Sequence, residues 1–198
     1  MSAVGRSFAG SGLESLAEML EPCAPGEFLD SHWGAGVLHV RGRAGRFARM
    51  MPWPRLGEIL SRQRLDFPRL RLVRDGKPLP VSAYLRHTTG SRQKTTIPRL
   101  KAPELTRQLR EGATLVLDAV DELSEPVEAL AKGLELFFRE RVQVNLYAGW
   151  QTSRGFDLHW DDHDVFILQT PLPAPKARPR RRARASPSRA GAARAPRP

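Results

Sequence analysis

Residues 155–169 read Gly155-Phe156-Asp157-Leu158-His159-Trp160-Asp161-Asp162-His163-Asp164-Val165-Phe166-Ile167-Leu168-Gln169, with two histidines and four aspartates inside eight residues before the chain turns apolar. Such a stretch is either a metal site or an acidic loop ahead of a strand. On a strand, alternate side chains share a face, so His159 and Asp161 present an imidazole nitrogen and a carboxylate oxygen together. Two adjacent positions of an octahedral ion can be filled in that way, and a 2-His-1-carboxylate facial triad needs one more histidine. His163 falls on the same face, but four strand residues span about 13 Å, too far for His159 and His163 to share an ion without a sharp bend. Asp161 with His163 is a geometrically equal pair, so spacing leaves the choice open. Asp162 and Asp164 point the other way, as surface groups or as hydrogen-bonding supports for the ligands.

The composition around this stretch is ordinary for a soluble protein. With 198 residues and 40% hydrophobic content, the chain is long enough for one well-buried domain and a small appendage. Cys23 is the single cysteine, which excludes an intrachain disulfide and a cysteine-rich zinc site and points to a reducing, cytoplasmic setting. No run approaches the roughly 20 apolar residues of a membrane span, and the first residues lack the apolar core of a secretory signal. The net charge of +11 is unevenly placed: nine cations and no carboxylate lie between Pro171 and Pro198, which leaves +2 on the rest. A near-neutral body is joined to a basic tail.

Hydrophobic periodicity organises the body. Ser11-Gly12-Leu13-Glu14 has capping-box spacing, and Leu13, Leu16, Ala17 and Leu20 follow at helical intervals, predicting a helix over 12–21. Glu27 to Val40 reads as an aromatic lead-in and a strand, Val37-Leu38-His39-Val40, with His39 as a strand-face residue rather than a ligand. Pro54 to Leu60 predicts a short helix. Arg69 to Arg74 alternates like a strand with one wet, basic face, ahead of an Asp75-Gly76 turn. Arg86 to Lys101 has little periodicity and reads as a mobile loop.

A helix over 103–111 stopped by Gly112, a buried strand over 113–120, and a helix from the N-cap Ser124 to about Glu140 follow. That helix leads into Val142-Gln143-Val144-Asn145-Leu146-Tyr147. Here Val142, Val144 and Leu146 share one face, and Gln143, Asn145 and Tyr147 the other. The polar row faces water, or lines a cavity if the strand belongs to a barrel.

Asn145-Leu146-Tyr147, Gly155-Phe156 and the series from His159 through Asp161, His163 and Asp164 to Gln169 together resemble the cupin-type JmjC oxygenases, in their ribosomal oxygenase branch. The likeness extends over about residues 28–169, back through the Ala113–Val120 strand to Phe28 and Trp33. It implies a mainly β fold with flanking helices, a double-stranded β-helix incomplete at its C-terminal side. It further implies Fe(II) held by His159 and Asp161, 2-oxoglutarate as co-substrate, and hydroxylation of a protein side chain, with a ribosomal protein as the expected substrate class. Asn145 and Tyr147 match family positions that line the active site near the substrate.

After Gln169 the family pattern continues with a basic residue for 2-oxoglutarate and a second iron-binding histidine. This chain has Ala174 where relatives carry the co-substrate lysine, places Lys176 in a proline-rich run, and has no histidine after His163. Arg, Ala, Pro, Gly and Ser dominate residues 170–198, a composition that cannot bury enough surface to order itself. The tail reads as an arm for nucleic-acid phosphates, as an inert extension, or as the product of a reading-frame change. The expected division is an N-terminal helical segment over 1–26, a JmjC/cupin-like domain over 27–169 and a disordered basic tail over 170–198. On this reading the chain is a truncated hydroxylase with impaired catalysis. Two competing classes are a nucleic-acid or ribosome-binding module acting through 171–198, and a metal-binding cupin without oxygenase activity.

Overall fold

A computed structural model describes residues 12–89, 96–149 and 160–170. Its centre is an antiparallel sheet. Strand β1 (Leu70–Arg74) turns through Asp75-Gly76 into β2 (Lys77–Pro78). Both turn residues have positive φ, 49° and 74°, as the tightest two-residue hairpin turn requires; glycine adopts such angles freely and aspartate tolerates them. Strand β5 (Thr114–Leu117) pairs with β1 on one side and with β6 (Leu146–Ala148) on the other, giving the order β2-β1-β5-β6.

The register sorts the side chains. Leu70, Leu117 and Leu146 form one cross-strand row and Leu72, Leu115 and Ala148 the next. This face lies in the core with the buried sides of the helices.

Helix α1 (Gly12–Leu20) and helix α5 (Glu125–Phe138) pack against each other at close range. A Cβ on Gly12 would lie 2.6 Å from the carbonyl oxygen of Gly133, and one on Gly133 would lie 2.7 Å from Cβ of Ser15. The close approach buries Leu16 completely. Helix α3 (Trp53–Arg62) contributes Leu56 and Ile59 to the core. Helix α4 (Ala102–Arg110) contributes Leu105 and Leu109, and Gly112 follows at φ 97°, where glycine alone is unstrained. The wholly buried Tyr84 directs its hydroxyl to the Leu70 carbonyl at 3.3 Å; burial pushes its phenol up.

The expected helices are present within two or three residues of their predicted bounds. Ser124 occupies the N-cap position of α5 in extended conformation, but its hydroxyl donates to Met50 O at 3.3 Å instead of capping the helix. Four other expectations are corrected. The lead-in segment contains a helix, α2 (Pro25–Ser31), which starts with Pro25 in its first turn and buries Phe28. Val37–Val40 is not a strand, and Val37 is 97% exposed.

The predicted loop over 86–101 instead holds an antiparallel hairpin, β3 (Leu85–Thr89) with β4 (Thr96–Leu100). Its intervening residues 90–95 lie outside the described ones. Alternation at Thr88-Thr89 and Thr96-Ile97 was too polar to register as strand. The arginines of β1 are tied down rather than wet: Arg71 pairs with Asp118, and Arg74 reaches Gln108 and Glu111 on and beside α4.

Antiparallel sheets with flanking helices thus match the expected class, with more of the described residues in helices than in strands. No strand pairs the outer edge of β6 among the described residues. No described helix is long and apolar enough to cross a membrane.

Gly133→Ala is expected to destabilise the protein. The overpacking cost of about 1–3 kcal/mol against Cβ of Ser15 outweighs the gain of about 1 kcal/mol from alanine's helix propensity. Urea unfolding of the two proteins measures the difference, and a more stable alanine variant would contradict the close approach.

Candidate metal centre

The face of the sheet turned away from the leucine rows is the more polar one, although Val73 and Val116 are buried on it. Its cross-strand row runs Arg71, Val116, Tyr147. Val116 is fully buried although charged and phenolic neighbours flank it. Asp118 follows β5 on the same face and pairs with Arg71; its Oδ1 is buried and has no hydrogen-bond partner among the described residues.

Beyond Asp118 the chain turns at Ala119, whose φ of 52° is left-handed. Neighbours hold this turn. Arg69 donates to the carbonyls of Asp118 (3.2 Å) and Ala119 (2.7 Å) and pairs with Glu122 at 2.9 Å. The Ala119 N–H donates to Oδ1 of Asn145 at 3.2 Å.

Asn145 therefore sits where the sequence places it, on the outward face with Gln143 and Tyr147, and it also has a structural task. Its Oδ1 accepts from the Gln143 amide at 2.9 Å as well. Burial alternates along 142–148 with the apolar side inward, but ladder pairing begins only at Leu146. Ahead of it, the backbone groups find other partners. Val142 N–H donates to Glu135 Oε1 (3.1 Å), Val144 N–H to Asp121 Oδ1 (2.9 Å), and Val144 O accepts from Val120 N–H (2.8 Å). Tyr147 is 55% exposed.

Of the two predicted iron ligands, His159 lies outside the described residues. Asp161 is exposed, as are its neighbours from Trp160 to Val165. His163 Nδ1 lies 3.3 Å from Asp162 Oδ1, both side chains largely in solvent. Asp162 is thus engaged with the histidine beside it. Among the described residues no three His, Cys, Asp or Glu side chains come together to hold an ion.

The run Val165–Leu168 pairs with no strand among the described residues, contrary to expectation, yet it alternates. Phe166 and Leu168 pack on the core while Val165 and Ile167 face outward. Phe166 enters an aromatic cluster with centroid distances of 6.0 Å to Phe28, 6.0 Å to Trp33 and 5.9 Å to Phe138, while Trp33 stacks on Phe138 at 4.7 Å. Sequence reading missed this clasp. Phe28 and Trp33 read as a lead-in because nothing local to them indicates a partner more than a hundred residues away.

The JmjC domain family matches residues 122–171, from the 3-10 turn before α5 through the acidic-histidine stretch. The bifunctional lysine-specific demethylase and histidyl-hydroxylase NO66 of Drosophila persimilis is 24% identical over 80% of this chain and 22% of its own length. The protein of the same name from Caenorhabditis elegans is 25% identical over 76% and 19% respectively. The chain thus spans about a fifth of the length of these curated relatives. The match through β6 and the acidic-histidine stretch, with the likeness across most of the chain, makes this chain similar to JmjC-domain proteins.

Proposed function

We propose that this chain is the N-terminal part of an Fe(II)- and 2-oxoglutarate-dependent hydroxylase of a protein side chain, with His159 and Asp161 as its iron ligands. The observation that carries this reading is the single unbroken JmjC domain match over residues 122–171. It takes in Asn145, Tyr147, His159 and Asp161 together.

The donor set fits Fe(II) in kind and falls one short in number. Imidazole and carboxylate suit non-haem iron, which takes two histidines and a carboxylate on one face of its octahedron. His159 and Asp161 supply two of the three. Bound iron with 2-oxoglutarate supplies the oxidising chemistry, and the protein's part is to hold, orient and shield. Tyr147 projects a phenol from the outward face of β6, and Asn145 beside it is fixed by Gln143 and the Ala119 turn. These two groups orient the substrate side chain. The Phe166 clasp sets where the stretch carrying Asp161 leaves the body.

With two protein ligands iron is held weakly, and catalysis requires a third ligand beyond His159 and Asp161. A cytoplasmic setting and a ribosomal protein as substrate class belong to the same reading. The alternative, a nucleic-acid module acting through residues 171–198, is supported by the nine cations of that segment.

Anaerobic Fe(II) titration of the full chain is expected to show weak, saturable binding that His159→Ala and Asp161→Ala each abolish. Succinate release with 2-oxoglutarate is expected to stay near background. Iron binding unchanged in both variants would refute the ligand assignment, and tight stoichiometric iron with turnover would refute the missing third ligand. Asn145→Ala is expected to cost about 1 kcal/mol of stability, the usual worth of a hydrogen bond to a buried or strained backbone group, read by thermal unfolding. Unaltered stability would leave Asn145 without its structural task.

A further inference from the structure

The β3–β4 hairpin stands apart from the main sheet, with no ladder pairing to it. Its register places Arg86 directly opposite Arg99, and both are exposed. Like charges directly across a strand pair destabilise it. Several arginines of the body meet carboxylates: Arg62 with Glu58, Arg69 with Glu122, Arg71 with Asp118, Arg74 with Glu111. Neither Arg86 nor Arg99 has an ion pair among the described residues. The sequence explains why: from Gly76 to Pro103 it holds six lysines and arginines and no aspartate or glutamate.

The carboxylate that does touch the hairpin lies on its other face. Side chains alternate along the ribbon, so Arg86 and Thr88, with their partners Arg99 and Ile97, share one face, and His87 with Pro98 shares the other. His87 Nε2 meets Asp66 Oδ2 at 2.8 Å there. The pairing ties the hairpin to the body without neutralising the arginine face. An isolated two-stranded ribbon is marginal by itself, and this one carries an uncompensated repulsion that a bound anion would convert into attraction.

We propose that the Arg86–Arg99 face of this hairpin binds the phosphodiester backbone of a nucleic acid. Guanidinium groups donate paired hydrogen bonds to phosphate oxygens. Two-stranded ribbons are among the elements that enter a nucleic-acid groove. A nucleic acid offers far denser negative charge than an acidic peptide and releases condensed counterions on binding. The arginine face presents guanidinium donors beside a Thr88 hydroxyl that is turned to the Ile97 carbonyl at 3.4 Å. This surface shares no residue with the iron reading and is unaffected by its failure; His159→Ala leaves it intact.

Fluorescence anisotropy of the full chain, with a single-stranded RNA and a DNA duplex of equal length between 50 and 200 mM salt, tests the proposal. The Arg86→Gln/Arg99→Gln double variant is expected to bind more weakly. The slope of log K against log salt should shrink by about 1.8 on the duplex or about 1.4 on the single strand, and the probe with the larger loss identifies the source. Arg62→Gln, which removes an ion-paired cation elsewhere, is expected to keep the wild-type slope, and Arg86→Lys/Arg99→Lys most of it. The basic tail is present in every variant, so the difference reports the hairpin.

Wild-type affinity and slope in the glutamine double variant on both probes would overturn the proposal. So would loss, on both probes, of the difference between wild type and the glutamine variant when polyglutamate is added at equal charge concentration, which assigns the face to an acidic protein. If the glutamine variant fails to fold by circular dichroism, photocrosslinking of the wild-type chain decides: crosslinks within 85–89 or 96–100 support the proposal, and their absence there overturns it.

Discussion

Strand β5 is the member on which the architecture depends. It is paired on both edges, with β1 through four residue pairs and β6 through three, and Leu115, Val116 and Leu117 are almost wholly out of water. Burying three large side chains from a four-residue strand is favourable at about 1.5–3 kcal/mol each. Burial on both faces leaves the register no slack, since a one-residue slip would carry leucines to the polar face and Val116 into the leucine rows. Fixing β5 fixes the rest: the leucine rows seat the helices, and Arg71 and Tyr147 stand on either side of Val116.

Local chemistry made much of this legible in the sequence. The Asp75-Gly76 hairpin, the β5 run of branched residues, the α5 stripe and the inward-outward alternation along 142–147 each follow from neighbours within a few residues. Expectations went astray where distant partners decide. The arginines of β1 look solvated in sequence because Asp118, Glu111 and Gln108 are more than thirty positions away. Val37–Val40 has strand composition but finds no strand to pair with among the described residues, and exposure of Val37 follows. The β3–β4 hairpin was hidden by its polarity, because an exposed ribbon needs no apolar alternation. The candidate site was legible as residue types and spacing. The outward row of Gln143, Asn145 and Tyr147 is visible in the fold, while His159 lies outside the described residues.

Asn145 shows how one side chain serves two levels of organisation. The left-handed turn at Ala119 carries the chain out of β5, and the Asn145 carbonyl is one of the groups that satisfy its backbone. That commitment orients the asparagine on the face it shares with Tyr147. Substitution there acts on folding and on the surface at once, so activity measured without stability would misattribute the loss.

The aromatic clasp has a consequence for the span of chain that leads up to it. Pairing of Ala148 with Leu115 pins one end of the intervening chain, and Phe166 seated among Phe28, Trp33 and Phe138 pins the other. The entropy of closing a segment between two fixed points grows only with the logarithm of its length. Residues added or lost between those anchors therefore perturb folding little while they redraw the surface around Asp161. Folding alone thus sets few demands on that span, and the demand on its composition comes from His159 and Asp161 as proposed iron ligands.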